Sequence, residues 1–593
     1  MCNISRGAYE NVPTKMLGLA LSGGGFRASF FHIGVLAQMA RLGILRKVDV
    51  ISTVSGGSII GAQYFLYVKK LLETKSIKDI NDEDYRNIVY KIEKIFLKAV
   101  QKNFRMRTFL NFWKNLKMFM PNYSRSDRIA ELYDKELYRN YRNKHRDTRI
   151  RMDEIKIKPI DGKPSGDPET KVPVILINAT TLNSGHNWRF GVETMGEPYI
   201  TGGLYKQIDK NLELRRPQSY KVIKSKRRDI GLGIAVSASA SVPALFPPLS
   251  ISNLYEDDIR VELVDGGVHD NQGIQGLIDN DCTEFVISDA SGQMKDEFEP
   301  ATGMISVLLR SSSIFQDRVR EEELNGLMKG KGPDWPCAFM HLRKNLKARV
   351  EWPIVTEEPS TEESNENVEA KPEDFGVDHD VQELLSKIRT DLDSFTEVEA
   401  YSLMLDAYLM SKPEIKRAFK IEKDEDRLSK IDKKYEWKFL KIKPWIAEPT
   451  KPYLKQLDVA HQMLFKVFRL SWLLTTSIFL TVAAIVYYFW PQLTESFMAL
   501  MDKTITYRTI AILVGALLIG FIPKLSRAFK VLRIIRAPSE YYVRLVGRTL
   551  LSIIGSLFIA IHLLVFDRLF LWLGKVKRLG EPPTPKSEES GSR

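Results

Sequence analysis

An α/β domain on a mostly parallel central sheet, followed by a C-terminal α-helical membrane region, is the fold class this sequence predicts. Three observations carry it. Two strand–glycine loop–helix units follow one another near the N-terminus, a later alternating strand ends in Asp265-Gly266-Gly267, and the run Leu470 to Trp490 holds no charged residue. The 593 residues allow about three to five domains. A hydrophobic share of 44% with a charged share of 27% excludes a wholly disordered chain and a collagen-like one. Cys2, Cys282 and Cys337 are too few for a disulfide framework, which fits a reducing compartment. Met1 to Lys15 lacks the apolar core of a secretory signal.

The first unit is a short apolar strand, Leu17 to Leu21, running into Ser22-Gly23-Gly24-Gly25-Phe26-Arg27 and then an apolar helix from about Ala28 to Leu42. The second is the β-branched stretch Val48 to Val54, then Ser55-Gly56-Gly57-Ser58, then a helix over Ile59 to Leu72. Consecutive βα units favour parallel strands joined by right-handed crossovers. Both loops then lie at the carboxyl ends of neighbouring strands, where open α/β sheets carry their sites.

Ser55 is the candidate nucleophile. A serine between a buried strand and a helix sits in a sharp turn that presents its hydroxyl above the sheet and tolerates only small neighbours. Here those neighbours are Thr53, Gly56 and Gly57. The helix starting at Gly56 aims amide groups and a positive dipole end at the serine. The plain alternative is an N-cap serine. Gly23, Gly24 and Gly25 strengthen the catalytic reading, since glycines let successive N–H groups converge on an oxyanion. A dinucleotide loop competes, as Gly23, Gly25 and Ala28 match the looser fingerprint. The second strand, however, ends without the acid a ribose needs, and no P-loop lysine is present. The strand Arg260 to Val264 delivers Asp265 as a candidate base. An ordinary Asp-Gly turn is its bland reading. His269 offers a Ser-His-Asp alternative, and His32, inside the first helix, reads as a packing residue.

LALSGGGFRAS (Leu19 to Ser29), STVSGGS around Ser55 and VDGGVHDN around Asp265 together resemble the patatin-like phospholipase family. Ser124 to Tyr138, Ile175 to Trp188 and Ala235 to Leu249 support the likeness, which covers residues 16–346 with an echo at Ile388 to Met404. The resemblance implies a patatin-like three-layer sandwich and a Ser–Asp dyad acting on lipid acyl esters without a catalytic histidine, cofactor or metal. Carried over, Ser55 is the nucleophile, Asp265 the base, and Gly23, Gly24 and Gly25 the oxyanion hole. Arg27 and Gly56 are further candidate contacts to the oxyanion or a lipid phosphate, and bracing the loop is the other reading of Arg27. Ser22 stands where the family often has Asp, which resembles the cytosolic phospholipase A2 branch, and Thr53 replaces the first elbow glycine.

The expected substrate is a membrane phospholipid or lysophospholipid. A non-catalytic membrane scaffold or sensor on the same fold, and a lipid acyltransferase, are the alternatives. At about 1.5 Å per residue, Leu470 to Trp490 spans roughly 30 Å, a bilayer's hydrocarbon thickness. Thr549 to Phe566 is a second candidate span, and Thr509 to Pro523 is apolar but short. The net charge of +13 is concentrated in part in Lys524 to Arg548, which suits an anionic lipid surface. By the positive-inside rule that loop and the catalytic domain face the cytoplasm, in a region 470–574 with two or three spans. Residues 355–380 are acidic and expected to be disordered; residues 381–452 form a helical extension and linker. Val100 to Tyr123 mixes basic and aromatic residues as a lipid-touching helix does. No RNA-recognition motif accompanies it, so nucleic acid is not an expected partner. Oligomeric state is left open.

Overall fold

Strand β1 (Leu17–Leu21) is buried on both faces: Leu17, Leu19 and Leu21 enter one core and Ala20 the other. Such a strand belongs in the middle of a sheet covered on both sides. The computed structural model describes residues 15–120, 123–139, 149–162, 171–199, 217–223, 230–252, 254–255, 259–292, 294, 296–329, 335–346, 375–422, 425–463, 466–504, 548–549 and 551–583. The remaining strands are β2 (Val48–Val54), β3 (Val174–Thr181), β4 (Asn187–Phe190), β5 (Thr194–Gly196), β6 (Gln218–Ser219), β7 (Leu249–Ser252), β8 (Arg260–Asp265), β9 (Glu284–Asp289) and β10 (Cys337–His341). The helices used below are α1 (Gly25–Leu42), α2 (Gly56–Thr74), α3 (Asp82–Val100), α4 (Phe112–Lys117), α5 (Leu232–Ser239), α6 (Met304–Met328), α7 (Glu397–Ala418), α8 (Trp472–Thr504) and α9 (Leu551–Leu573).

The strands β10-β9-β1-β2-β3 form a parallel core in that order. Beyond β3 every pairing is antiparallel: β3 with β4 and β8, β4 with β5, β5 with β6, and β7 with β8. The sheet is therefore mixed, which corrects the expectation of a mostly parallel one. The reason is local: the connection between β3 and β4 is too short for a crossover helix, so the chain folds back as a hairpin.

Helices cover both faces. On one side α1 is buried along almost its whole length and packs against α2, α3 and α7. Gly34 lets α1 and α7 meet at backbone contact, since a Cβ there would lie 2.1 Å from Met404 O. On the other side Ala20, Val50, Phe285 and Ile287 pack with Leu277 and, from α6, Leu327.

The chain divides into two units. The first comprises residues 1–108, 121–463 and 571–593, so the expected helical extension is folded into the catalytic unit. Its helical pattern breaks between His379–Lys387 and α7, where buried Arg389 donates to the carboxylates of Asp393 and Glu399 and to the carbonyls of Ser394 and Ala460.

The second unit comprises Phe109–Met120 and Leu464–Phe570. Its α8 contains the charge-free run from Trp472 onward, and α9 is long and apolar enough to cross a membrane. The expected helix over Val100 to Tyr123 is two short ones, Phe104–Thr108 and α4. In the second unit Asn115 Nδ2 donates to Ser556 Oγ at 2.9 Å, and the Arg548 guanidinium lies 5.0 Å from the Phe119 ring centroid. The acidic stretch 355–374, the run Thr509 to Pro523 and the basic loop short of Arg548 lie outside the described residues.

Candidate active site

Three strand ends build the site. β2 ends at Val54, and Ser55 follows with φ 48° and ψ −114°, a backbone that L-residues avoid and a tight strand-to-helix turn imposes. Its N–H donates to Ser239 Oγ at 2.9 Å, and Ser239 Oγ lies 2.9 Å from Ser58 Oγ, so α5 holds the elbow from one side. From the other side comes the glycine loop. A Cβ on Gly56 would lie 2.1 Å from Gly25 O, which is why no side chain fits there. A Cβ on Gly23 would stand 3.3 Å from Ser55 Cβ, so the loop is packed directly on the Ser55 turn.

The donors of that loop are not equivalent. The Gly23 N–H is occupied, donating to Asn271 O at 2.9 Å. Gly24 and Gly25 begin α1, where N–H groups lack intrahelical partners. No protein hydrogen bond from either is found among the described residues. Gly24 has φ 132°, a conformation open only to glycine, and this turns the chain from strand to helix.

Asp265 closes the site from the end of β8. Its backbone is pinned on both sides: its N–H donates to Ser241 O at 2.9 Å, and its carbonyl accepts from Thr180 Oγ1 at 2.9 Å. Carboxylate Oδ1 accepts the Gly267 N–H at 2.7 Å. Burial pushes the carboxyl up to about 6, while the Gly267 N–H and the Ser55 side chain pull it back. Oδ2 is buried and lacks a well-aligned partner, so the Ser55 hydroxyl lies within influence of the carboxyl but outside ideal hydrogen-bond geometry. Catalytic contacts in unliganded sites are commonly loose in this way.

Arg27 is 3% exposed and donates to the carbonyls of Ala290, Ser386 and Ile388. That is a brace between the glycine loop and the segment before α7. His269 makes no hydrogen bond to Ser55 or Asp265; the charged or titratable groups acting on it are Asp270, His186, Arg189 and Asp279. Sequence reading missed Ser239 and Asn271, although both lie within stretches that carry the family likeness; nothing in their spacing says which strand end they meet. Among the described residues no cluster of His, Cys, Asp and Glu suits a metal.

Residues 19–278 match the family model described as patatin-like phospholipase. No curated protein matches the sequence. Among solved structures, human GIVD cytosolic phospholipase A2 is similar at 10% identity, covering 72% of this chain and 64% of its own, with a TM-score of 0.34. The same human enzyme in complex with a methyl γ-linolenyl fluorophosphonate inhibitor and terbium chloride gives 12% identity, 72% and 62% coverage and a TM-score of 0.33. VipD from Legionella pneumophila gives 12% identity, 77% and 90% coverage and a TM-score of 0.24. The chain thus spans less than two thirds of the human enzyme's length.

Proposed function

We propose that the chain is a membrane-anchored serine acyl hydrolase that cleaves ester bonds of phospholipids, lysophospholipids or related acyl lipids. What supports this reading is the Ser55 elbow packed against the glycine loop, with the Asp265 carboxyl under the influence of the Ser55 side chain.

In the proposed reaction the Ser55 hydroxyl transfers its proton to Asp265 as Oγ attacks the ester carbonyl. The oxyanion that forms faces the Gly24 and Gly25 amides, aided by the N-terminal dipole ends of α1 and α2. Collapse breaks the bond to the leaving alcohol, which takes the proton from Asp265 and departs. An acyl-enzyme on Ser55 remains. Water then gives a proton to Asp265 and adds to the acyl carbon, and the second collapse returns the proton to Ser55 and releases the fatty acid. Two steps with modest barriers replace one difficult one.

The apolar helices α8 and α9 support the anchoring part of the reading, as does the placement of the basic, aromatic segment Phe109–Met120 in the same unit. Tethering raises the effective concentration of a substrate that exists almost wholly in bilayers. Detergent-solubilised protein should release fatty acid from phosphatidylcholine or short acyl esters and take up a fluorophosphonate on Ser55. Ser55→Ala should lose both, with hydrolysis falling by at least about 1,000-fold. Release by the variant at the wild-type rate overturns the assignment.

A further inference from the structure

Of the residues of α6 only Leu327 is buried. Its C-terminal half is held to the domain: Leu324 and Leu327 pack with Phe285 and Trp335, and the Glu323 carboxyl is hydrogen-bonded to Asp270. The N-terminal turns are different. Met304, Leu308 and Phe315 fall on one stripe at helical spacing, with Ile305 beside it, and Met304 and Phe315 are 84% and 69% exposed. Soluble proteins rarely leave a contiguous apolar patch of this kind to water.

Three features indicate what covers it. The outward stripe from Met304 to Phe315 carries no charge, and in the turn leading into it Asp296, Glu297 and Glu299 outnumber Lys295, with Glu297 paired to Arg310 at 3.1 Å, so no basic surface faces an anionic partner there. The opposite side of the helix is polar: Ser306, Arg310 and Ser313 line a cavity of about 550 Å³ together with Asn271 and Gln272. That cavity adjoins the catalytic loop, because a Cβ on Gly23 would lie 2.3 Å from Asn271 Oδ1. The apolar side faces outward and the polar chamber lies behind it, as the acyl chains and the headgroup region do in a phospholipid layer.

We propose that the outward stripe of α6 docks on a neutral, zwitterionic phospholipid layer, with the polar cavity behind it receiving the headgroup; the headgroup role rests on reading the site as a lipid hydrolase. The test uses the full chain in phosphatidylcholine vesicles containing a phosphatidylcholine with a diazirine in its acyl chain. After irradiation, peptide mapping should find lipid adducts on residues 298–315. Combining Leu308→Glu with Phe315→Glu should lower those adducts at least tenfold while adducts on 472–490 persist. Adducts confined to the C-terminal helices overturn the proposal. So does chemical cross-linking in detergent that joins two copies through 304–315, since a second copy then covers the stripe. Fluorophosphonate uptake on Ser55, measured alongside, decides the hydrolase reading separately: adducts on 298–315 without uptake keep the docking surface and remove the hydrolase.

Discussion

In the proposed reaction Asp265 has to be buried and ionised at once, and the conflict sets two measurable pH dependences. As the base it must be charged, so with its carboxyl pushed up to about 6 the rate of hydrolysis should climb through that pH and level off above it. A profile of kcat/KM flat from about pH 4.5 to about 8 removes Asp265 from that role. Stability runs the other way. The folded pKa lies above the unfolded one, so the stability this group contributes is complete below about pH 4 and is lost as pH rises through about 6. Two pH units correspond to at most about 3 kcal/mol. Asp265→Asn keeps an acceptor for the Gly267 N–H but carries no charge. Its unfolding free energy at about pH 8 should therefore exceed the wild type's by about 1–3 kcal/mol, a gain that fades toward about pH 4, while hydrolysis is lost. Denaturation followed at both pH values checks this. His32 shows what sequence reading left out at this scale. Its position in an apolar helix was legible as burial; its partners, one just past the end of β1 and one on β9, were not. Nε2 lies 2.9 Å from the Ser22 carbonyl, which only accepts, so Nε2 carries the proton and Nδ1 accepts from Ser288 Oγ at 2.7 Å. Burial pushes the ring down to about 4, which keeps it neutral. The same carbonyl accepts the Gly57 N–H at 3.1 Å, so the imidazole ties the glycine loop to the start of α2. His32→Phe should cost about 1–3 kcal/mol of stability. In the protein that remains folded it should slow fluorophosphonate labelling of Ser55 by about 10- to 100-fold, because the donors are displaced.

Among the elements, the nucleophile elbow and the α1–α7 contact follow one rule: backbones approach where a side chain is missing. The rule makes a prediction opposite in sign to helix propensity. Gly34 lies in the middle of α1, where alanine alone would add roughly 1 kcal/mol. Its Cβ, however, would meet Met404 O at 2.1 Å. Gly34→Ala should therefore destabilise the catalytic unit, by about 1–3 kcal/mol as the helices are forced apart, and a stabilised variant in chemical denaturation would contradict the packing described here. The same rule explains where the sequence reading stopped short. β1 and β2 were legible to the residue, since short β-branched or apolar runs ending in glycine are unambiguous signals. The first helix was expected from about Ala28 but begins at Gly25; the second, whose apolar run was read as Ile59 to Leu72, begins at Gly56, where its dipole end was expected. Glycine is a poor helix former, and only the contact between the two loops, invisible in a linear sequence, makes it the residue required. The antiparallel edge was illegible for a related reason. β4, β5 and β6 are very short and owe their existence to pairing rather than to any periodic pattern of their own.

The whole molecule places a constraint on topology that no single segment carries. The chain leaves the catalytic unit after Met463 and rejoins it at Leu571. The return is firm: Val398 N–H donates to Gly574 O at 3.1 Å, Val576 N–H to Glu397 at 3.2 Å, and Val576 and Leu579 enter the main core. On the membrane-anchored reading proposed above, an excursion that starts and ends in one folded body crosses the bilayer an even number of times, so that reading predicts two complete crossings rather than three. Charge then selects among the even arrangements. Lys524 to Arg548 holds seven basic residues against Glu540 alone, and short basic loops stay on the cytoplasmic side. Lys455, Lys466 and Arg469 before α8 and Lys575, Lys577 and Arg578 after α9 carry the same sign. On the same proposed reading, keeping all three basic regions on one face requires α8 to be paired with a return crossing ahead of Lys524, with α9 along the interface; α9 as the return crossing puts the Lys524 to Arg548 loop on the other face. The segment Phe109–Met120 agrees, for it is too short to cross and return, yet Asn115 and Phe119 within it meet Ser556 and Arg548 at the beginning of α9. Cysteines introduced as Ser539→Cys, Lys78→Cys and Lys577→Cys, each probed with an impermeant maleimide on sealed vesicles, distinguish the cases. All three should react from the same side. Ser539→Cys reacting from the opposite side makes α8 and α9 the crossing pair and sets the charge rule aside for this chain. Lys78→Cys and Lys577→Cys on opposite sides breaks the even count itself, and with it the placement of the helical turn Val576–Arg578 in the first unit.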